Sequence, residues 1–355
     1  MVLLEQIVNS NYIQYDRLVS MVSNAFMNSK SDNLNIFIDL YSVLKPLYKN
    51  DQYKIENYSA VTSCIINMVS HYRAFFRTRY RVETDIYLVW SSNTPYINKQ
   101  FYMDYNSKNE YNFNVLKEKR EMIDNCLKLV EILCPYLPNV YYINTSFESG
   151  VVIYDLILRS EDKDPTIPHV VITKDKYLYQ LPAINKQCVI FRPYKRNKVD
   201  YSYFINYDNI LHTYLVERKV KDNLNKIVSP ELFSVLLALT SLPERNIKSL
   251  ININQAIKII NNIVEYGRIL NGYNSDIDNL YNIIESNLST KNKINQNIFI
   301  NRFKAIDIPF QHSVFYNSSE RFSLPEKLVD LYDPEGVKYI NNKYFDGIPL
   351  DLNRL

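Results

Sequence analysis

Residues 35–40 are Asn35-Ile36-Phe37-Ile38-Asp39-Leu40, a short apolar run that ends in a carboxylate. The apolar spacing of residues 57–79 is helical, and a second run, Asp85-Ile86-Tyr87-Leu88-Val89-Trp90, follows it. A strand, a helix and a second strand in this order are typical of a βαβ unit. These residues therefore predict the start of a parallel sheet.

The alternation of helix and strand continues to residue 191. Because strands that alternate with helices are typical of a sheet covered on both faces, the pattern predicts a mainly parallel sheet. From about residue 208 the apolar spacing is helical, which predicts an α-rich C-terminal third. The elements predicted before that point are a helix over 113–133, a strand at 140–143, a helix over 147–159, a strand at 169–173, a short helix near 175–181 and a strand at 187–191.

The composition excludes several classes of protein. The chain has 355 residues, of which 46% are hydrophobic and 22% charged, with a net charge of +3. This balance is typical of a folded chain with a buried core and excludes a disordered one. Only 5 residues are Gly, and neither GxGxxG nor GxxxxGKS/T is present. Their absence argues against a Rossmann cofactor enzyme and a P-loop NTPase.

Cysteine usage and the N-terminus bear on metal sites and on location. The 4 Cys form no CxxC pair and the 4 His lie far apart, so no zinc site is predicted. Scattered Cys in apolar contexts are typical of reduced thiols in an intracellular protein. The N-terminus lacks a basic region before a long apolar run, and no apolar stretch approaches about 18 residues. We therefore expect a protein without a membrane span, in the cytoplasm, or in the host cytoplasm or virion if it is viral.

Several segments resemble, in order, motifs of the flap endonuclease and phage 5′-nuclease family. Phe37-Ile38-Asp39 resembles its first strand and metal-binding Asp, and Leu88-Val89-Trp90-Ser91 resembles the second strand, which ends in Phe-Asp-Gly. Residues 102–108 resemble the “YPEYK” stretch before the arch helix. Phe147-Glu148-Ser149-Gly150-Val151-Val152 resembles “YEADDV”, and residues 171–181 resemble “VVSGDKDLLQL”.

The resemblance extends into the C-terminal third. Residues 237–247 align without a gap to “LALVGDPSDNI”, residues 251–256 to the “KGIGPK” hairpin, and residues 301–307 to a strand-like “N-L-x-x-x-D” stretch of phage members. In the hairpin, Asn252 and Asn254 replace glycines, and since Asn is the non-Gly residue that most readily adopts positive φ, we expect the turn to persist. Residues 1–30 and 310–355 have no counterpart.

The shared order of motifs implies the fold class and its division. It implies an α/β fold, a mainly parallel PIN/flap-endonuclease-like sheet flanked by helices, with a C-terminal α-rich helix–three-turn–helix region. The segments expected are an N-terminal helical extension over 1–34, a PIN-like α/β nuclease-fold domain over 35–228, the helix–three-turn–helix region over 229–300 and a C-terminal extension over 301–355.

Members of the family cut phosphodiesters with two metal ions held by acidic residues. The resemblance carries over Asp39, Glu148 and Asp175 as metal ligands, whereas the other acids are replaced by Ser91, Gly150, Val151, Tyr177 and Leu242. Val, Leu and Gly side chains cannot ligate a hard cation, so the resemblance implies no metal ion or a weakly bound Mg²⁺ and no catalytic residue. Asp155, about one helical turn on, faces another depth of the crevice.

The three remaining acids also have a purely structural interpretation. Asp39 and Asp175 stand where caps or turn residues occur, and Glu148 stands where a helix dipole favours a carboxylate. We weigh this interpretation equally with weak binding of one metal ion.

Basic residues form two clusters with interleaved Tyr80 and Tyr194, a composition compatible with phosphate contact and base stacking. Taken singly, we favour a solvated helix end for the first cluster and a basic loop between strands for the second, and nucleic-acid contact only for the two together. The candidate nucleic-acid-binding residues are Arg73, Arg77, Arg79, Arg81, Lys108, Arg192, Lys195, Arg196 and Lys198.

Three functions remain open. The first is a catalytically degenerate 5′-nuclease-like protein of a phage or virus, kept as a nucleic-acid-binding or structural subunit, with DNA or proteins of a replication, transcription or virion assembly as partners. The second is an active metal-dependent 5′–3′ exonuclease or flap endonuclease with a reduced acidic site. The third is an interaction module without a nucleic-acid role, since the chain has 31 Tyr and tyrosine is enriched at interfaces.

Overall fold

The computed structural model describes most of the sheet and much of the C-terminal third. The described residues are 31–48, 58–91, 127–196, 199–218, 230–242, 248–265, 277–288, 293–317 and 324. The predicted extension over 1–30 and the arch-like stretch at 102–108 lie outside them.

The described residues form six strands joined by helices and short 3₁₀ turns. The strands are β1 (Asn33–Asp39), β2 (Glu83–Ser91), β3 (Val140–Thr145), β4 (His169–Ile172), β5 (Cys188–Arg196) and β6 (Val199–Ile205). The helices are α1 (Leu40–Tyr48), α2 (Tyr58–Tyr80), α3 (127–133), α4 (Ser149–Glu161), α5 (Gln180–Ile184), α6 (Ile210–Glu217), α7 (Phe233–Leu239), α8 (Ile253–Glu265), α9 (Ile277–Ser286), α10 (Gln296–Ile306) and α11 (Ile308–Tyr316). The 3₁₀ turns are Cys134–Tyr136, Lys176–Tyr179 and Pro230–Leu232.

The strands form one sheet in the order β3-β2-β1-β4-β5-β6. Every neighbouring pair as far as β5 is parallel, and β6 alone in this sheet runs antiparallel, against β5. The predicted mainly parallel sheet flanked by helices is therefore confirmed. The hairpin of β5 and β6 was not predicted, although Val199-Asp200-Tyr201-Ser202-Tyr203 alternates apolar and polar residues as a strand does.

Both faces of the sheet are buried, which explains why its strands are continuous apolar runs. Ile36 and Trp90 point to one face, where they pack in the cluster that includes α2 and α3. Phe37 and Val171 point to the other face, which packs against α4 and is called the α4 face below. Helices α7 to α11 belong to the same buried cluster as the α4 face, so the α-rich part shares a core with the sheet.

One prediction for the C-terminal third is wrong. Residues 301–307 are not strand-like, because Asn295 caps α10, with its Oδ1 3.1 Å from the Ile298 nitrogen, and Phe299 and Phe303 lie one turn apart on its buried face. The boundary placed after residue 300 thus falls inside a helix. Asn252 has a φ outside the positive range and caps α8, accepting a hydrogen bond from the Gln255 N–H at 2.9 Å. Persistence of the hairpin turn stays a prediction.

No helix among the described residues has the length and apolar character needed to span a bilayer.

The junction of α10 and α11 contains a buried acid. Asp307 is 4% exposed, and its Oδ2 accepts a hydrogen bond from the Phe310 N–H at 2.9 Å, which caps α11. Burial raises the pKa of this carboxyl from 3.8 to about 6, although hydrogen bonds from Phe310 and from the Ser234 hydroxyl lower it. The folded protein therefore holds a proton on Asp307 more tightly than the unfolded chain does.

We expect Asp307→Asn to stabilise the protein at pH 7 and to leave its stability unchanged near pH 4. Asn is an equally good cap, and it removes the buried charge. Because the folded-state pKa is raised, the wild type loses stability as the pH rises from about 4 to about 6, so the gain at pH 7 is up to about 3 kcal/mol. Urea unfolding at both pH values measures it, with exposed Asp278→Asn as the control. Equal stabilities of wild type and Asp307→Asn at pH 7 would contradict this.

Candidate functional site at the carboxyl edge of the sheet

One carboxylate and three hydroxyl side chains stand at the ends of the four neighbouring parallel strands β1 to β4. Asp39 ends β1, Ser91 ends β2, Thr145 ends β3, and Thr173 follows β4. All four are at most 8% exposed. Their positions in the strand alternation place them on the α4 face, because residues two apart share a face. The edge that the sequence predicted to carry converging acids therefore carries mainly hydroxyls.

The two oxygens of Asp39 both accept hydrogen bonds from hydroxyl groups. The Ser149 Oγ donates to Oδ1 at 3.2 Å, and the Thr173 Oγ1 donates to Oδ2 at 2.8 Å. Ser42 lies 3.0 Å from the Thr173 hydroxyl and donates to the Asp39 carbonyl at 3.2 Å. Asp39 thereby joins β1 to α4 and to the end of β4.

The carboxyl of Asp39 is a much weaker acid than an exposed Asp. Its pKa is raised to about 6, first by burial and second by the negative charge of Asp175. The hydroxyls of Thr173, Ser42 and Ser149 lower it, because they donate hydrogen bonds to the charged form. Near neutral pH this carboxylate carries a charge that the hydroxyls only partly compensate.

Asp175 and Glu148 are placed differently from Asp39. Asp175 caps the 3₁₀ turn that follows β4, where its Oδ1 accepts a hydrogen bond from the Tyr177 N–H at 2.9 Å. Its own N–H donates to the Thr173 hydroxyl at 3.0 Å, so the two acids share Thr173 as a neighbour. Glu148 is 8% exposed and occupies the N-cap position of α4 without a capping side-chain hydrogen bond. The cap interpretation thus describes Asp175, and Glu148 stands at the N-terminus of α4, where the helix dipole favours a carboxylate.

Apolar side chains fill the space beside α4. A Cβ added to Gly150 would lie 2.5 Å from Leu178 Cδ2, 2.9 Å from Tyr177 Cε1 and 3.5 Å from Ile308 Cδ1. Tyr177 and Leu178 are both fully buried. Gly150 and Tyr177 therefore fit each other, since the missing side chain leaves the room that the aromatic ring and its leucine neighbour occupy.

Two further replaced positions are also closed to a metal ion. Val151 and Leu242 are fully buried in the hydrophobic cluster. Asp155 contacts two nitrogen-bearing side chains, with His312 Nε2 3.0 Å from its Oδ1 and Arg159 Nε 2.7 Å from its Oδ2. Because both of its oxygens are engaged on α4 and α11, Asp155 does not replace the lost ligands.

The metal ions of the resembled family do not fit this arrangement. In the part of the chain described, no three or more His, Cys, Asp or Glu side chains are grouped so that they could hold a metal ion. A pair of divalent ions needs several carboxylates in register, and here hydroxyl donors occupy the oxygens of Asp39. Weak Mg²⁺ binding by Asp39, Glu148 and Asp175 stays a prediction.

The first basic cluster lies at the opposite edge of the sheet. It ends α2, just before β2 begins at Glu83, whereas Asp39 lies where the parallel strands end. Arg73 is buried and donates to the Pro138 carbonyl, and burial lowers the pKa of its guanidinium. Arg77 forms an exposed ion pair with Glu83 at 3.1 Å. Arg81 is exposed, and its backbone has a positive φ of 56°. The side chain of the fourth member, Arg79, lies outside the described residues.

The second basic cluster starts at the same edge as Asp39. Arg192 follows Phe191 on β5, and the Thr173 N–H donates to the Phe191 carbonyl at 3.2 Å, so Arg192 adjoins the end of β4. The side chains of Lys195 and Arg196, and all of Lys198 and Lys108, lie outside the described residues.

Sequence reasoning missed the hydroxyl residues that hold Asp39. Ser149 and Thr173 stand within the recognised motifs, but a Ser after Glu148 and a Thr before Lys174 are also ordinary residues at a helix start and a turn. The available signal is that both stand a few residues from replaced acids, since a buried carboxylate without metal ions needs hydroxyl or amide donors.

Neither a protein-family model nor a curated protein sequence matches the chain. Among solved structures, it is similar to the T5 D15 protein co-crystallised with metal ions, at 11% identity and a TM-score of 0.47, over 89% of this chain and all of that one. It is also similar to the catalytic core of Rad2 in complex with a DNA substrate, at 12% identity and a TM-score of 0.44, over 94% and 96% of the two chains.

A third similar structure is human GEN1 in complex with Holliday junction DNA, at 10% identity and a TM-score of 0.42, over 88% of this chain and 68% of that one. These neighbours are a 5′-exonuclease and flap endonucleases, the class that the sequence motifs resemble. At such identities and TM-scores they assign no residue role and no activity to this chain, so the chemistry of the site rests on its own geometry.

We expect Gly150→Ala to destabilise the protein by about 1 to 3 kcal/mol, because the new Cβ overlaps Leu178 and Tyr177 in a packed core. Thermal and urea unfolding measure the loss. Leu178→Val removes the atom nearest to the new Cβ. The double variant should therefore lose less free energy of unfolding than the two single variants lose together. Strict additivity, or an unchanged melting temperature in Gly150→Ala, would show that this space is not filled.

Proposed function

We propose that this chain is a catalytically degenerate 5′-nuclease-like protein that binds nucleic acid without cutting it. The observation that carries the proposal is the Asp39 carboxylate, whose oxygens accept hydrogen bonds from Ser149 and Thr173. In a two-metal nuclease such oxygens have to face metal ions. Here the hydroxyls take that place, and Tyr177 and Leu178 fill the space beside it.

Cleavage of a phosphodiester requires a metal ion, a nucleophile and the phosphate in register. The buried side chains at Val151, Tyr177 and Leu242 supply no ligand, and Asp155 is paired with His312 and Arg159. A structural role for Asp39 explains its geometry without any metal ion. The loss of catalysis is supported by these contacts and by the count of replaced acids.

The nucleic-acid role is supported by cationic side chains at the same edge. Arg192 adjoins the end of β4, and Lys176 directly follows Asp175. Lys195, Arg196 and Lys198 continue the basic sequence of the β5–β6 hairpin. The proposed partners are DNA and proteins of a replication, transcription or virion assembly in a phage or virus, supported by the order of the motifs, which is that of the phage branch.

One observation favours the alternative of a working nuclease with a reduced site. Asp39 and Asp175 both contact the Thr173 hydroxyl, and the charge of Asp175 raises the pKa of Asp39. A single Mg²⁺ that keeps most of its water would need only one or two such ligands.

The discriminating experiment incubates the whole chain with labelled flap, nicked and single-stranded DNA in Mg²⁺ or Mn²⁺. We expect no cleavage above that of the double variant Asp39→Ala, Asp175→Ala, and we expect fluorescence anisotropy to show DNA binding that weakens as salt rises. Cleavage that the double variant loses would establish the nuclease. Absence of salt-dependent DNA binding would contradict the proposal and favour the interaction module.

A further inference from the structure

Arg192 is held in one orientation by its neighbours. Its Nη1 donates to the Tyr179 hydroxyl and lies 3.4 Å from Glu217 Oε2. The guanidinium carbon stands 5.4 Å from the centre of the Tyr179 ring, within cation–π range. The Tyr179 hydroxyl in turn donates to Glu217 Oε1 at 3.1 Å. Two residues from different elements thus fix the plane of the guanidinium.

A second cation adjoins this group. Lys176 Nζ lies 3.1 Å from Glu217 Oε2, the same oxygen that Arg192 contacts. The side chains of Lys176, Arg192 and Glu217 are 13 to 16% exposed, so the group is largely buried and still reaches solvent. Two cations that share one carboxylate oxygen create a positive potential at this edge of the sheet.

The edge of the Arg192 guanidinium formed by Nε and Nη2 is open to solvent. All of its recorded contacts with described residues run through Nη1 or the guanidinium plane, and Nε and Nη2 donate to none of them. Nε and Nη2 are not buried, so both nitrogens reach solvent. The parallel N–H groups of Nε and Nη2 form the fork that binds two oxygens of a phosphate.

Arg218 shows what an occupied fork looks like in the same fold. Its guanidinium carbon also stands 5.4 Å from the centre of a tyrosine ring, that of Tyr214. There Nε and Nη2 both donate to the Tyr214 hydroxyl at 3.2 Å, and Nη2 donates to Ser241 at 3.1 Å. The two arginines differ in which edge the protein uses, and Arg192 leaves the phosphate-binding edge unused.

We propose that Arg192 binds a phosphate group through Nε and Nη2, with Lys176 as the second cation and with Tyr179 and Glu217 as positioning residues. The inference rests on the proposed function where the phosphate belongs to a nucleic-acid strand, and free phosphate has the same chemistry. Preorganisation by Tyr179 and Glu217 lowers the entropy cost of binding, because the guanidinium is already fixed.

The test measures binding of a fluorescent single-stranded oligonucleotide at low salt, and the melting temperature in inorganic phosphate against potassium chloride of equal ionic strength. We expect Arg192→Gln to weaken oligonucleotide binding by about tenfold or more, and Arg192→Lys, which keeps the charge without the fork, to recover little of it. Tyr179→Phe keeps the ring but loses the hydroxyl that Arg192 contacts, so its oligonucleotide affinity should lie between those of wild type and Arg192→Gln. Arg218→Gln is the matched control and should stay within about twofold of wild type.

Inorganic phosphate should raise the melting temperature of wild type and Arg218→Gln and not that of Arg192→Gln, since a ligand of the folded state stabilises it. If wild type binds the oligonucleotide and both Arg192 variants bind it equally well, this inference is overturned while the proposed function stands. Equal losses in Arg192→Gln and Arg218→Gln would also overturn it. If wild type binds no oligonucleotide, the proposed function fails. In that case, a melting-temperature increase in inorganic phosphate that is lost in Arg192→Gln would support a free-phosphate site. No such increase in wild type would overturn the inference.

Discussion

The buried carboxylate of Asp39 is the constraint on which this edge of the structure depends. It lies at the end of the central strand and accepts hydrogen bonds from Ser149 at the start of α4 and from Thr173 after β4. A buried charge needs partners, and hydroxyls provide less compensation than a metal ion or a cation. Its raised pKa records the deficit. The first turn of α4 and the turn after β4 therefore have to stay where their hydroxyls reach this group.

The apolar part of the site follows from the same arrangement. The space between α4 and the turn after β4 is filled by side chains, as expected of an interior packed to high density. Tyr177 and Leu178 fill it, and Gly150 is the residue type that leaves them room. The replacements at these positions are therefore one packing solution, and restoring a single acid at Gly150 would clash with Leu178 and Tyr177.

The sequence predicted the sheet well and the site less well, for physical reasons. Strands buried on both faces are continuous apolar runs, so β1 and β2 were visible in the residues themselves. The partners of Asp39 were not visible, because Ser149 and Thr173 are 110 and 134 positions away and a hydroxyl has no periodic pattern. Residues 301–306 are helical and not strand-like, because the cap at Asn295 and the helical spacing of Phe299 and Phe303 outweigh the short polar motif over 301–307.

The two basic clusters cannot act as one electrostatic surface. The strand that separates their edges, β1, has 7 residues and so spans about 23 Å. That distance exceeds the screening length of about 8 Å at physiological salt, so charges at one edge have little effect at the other. At the amino edge, Arg77 and Arg81 stand at the C-terminal end of α2, where the helix dipole favours cations, and Arg77 is paired with Glu83. A helix-end position accounts for Arg77 and Arg81, whereas at the carboxyl edge Arg192 is held by Tyr179 and Glu217, and its Nε and Nη2 have no partner among the described residues. The proposed phosphate contact therefore lies at the carboxyl edge, beside Asp39 and Asp175, and not at the amino edge.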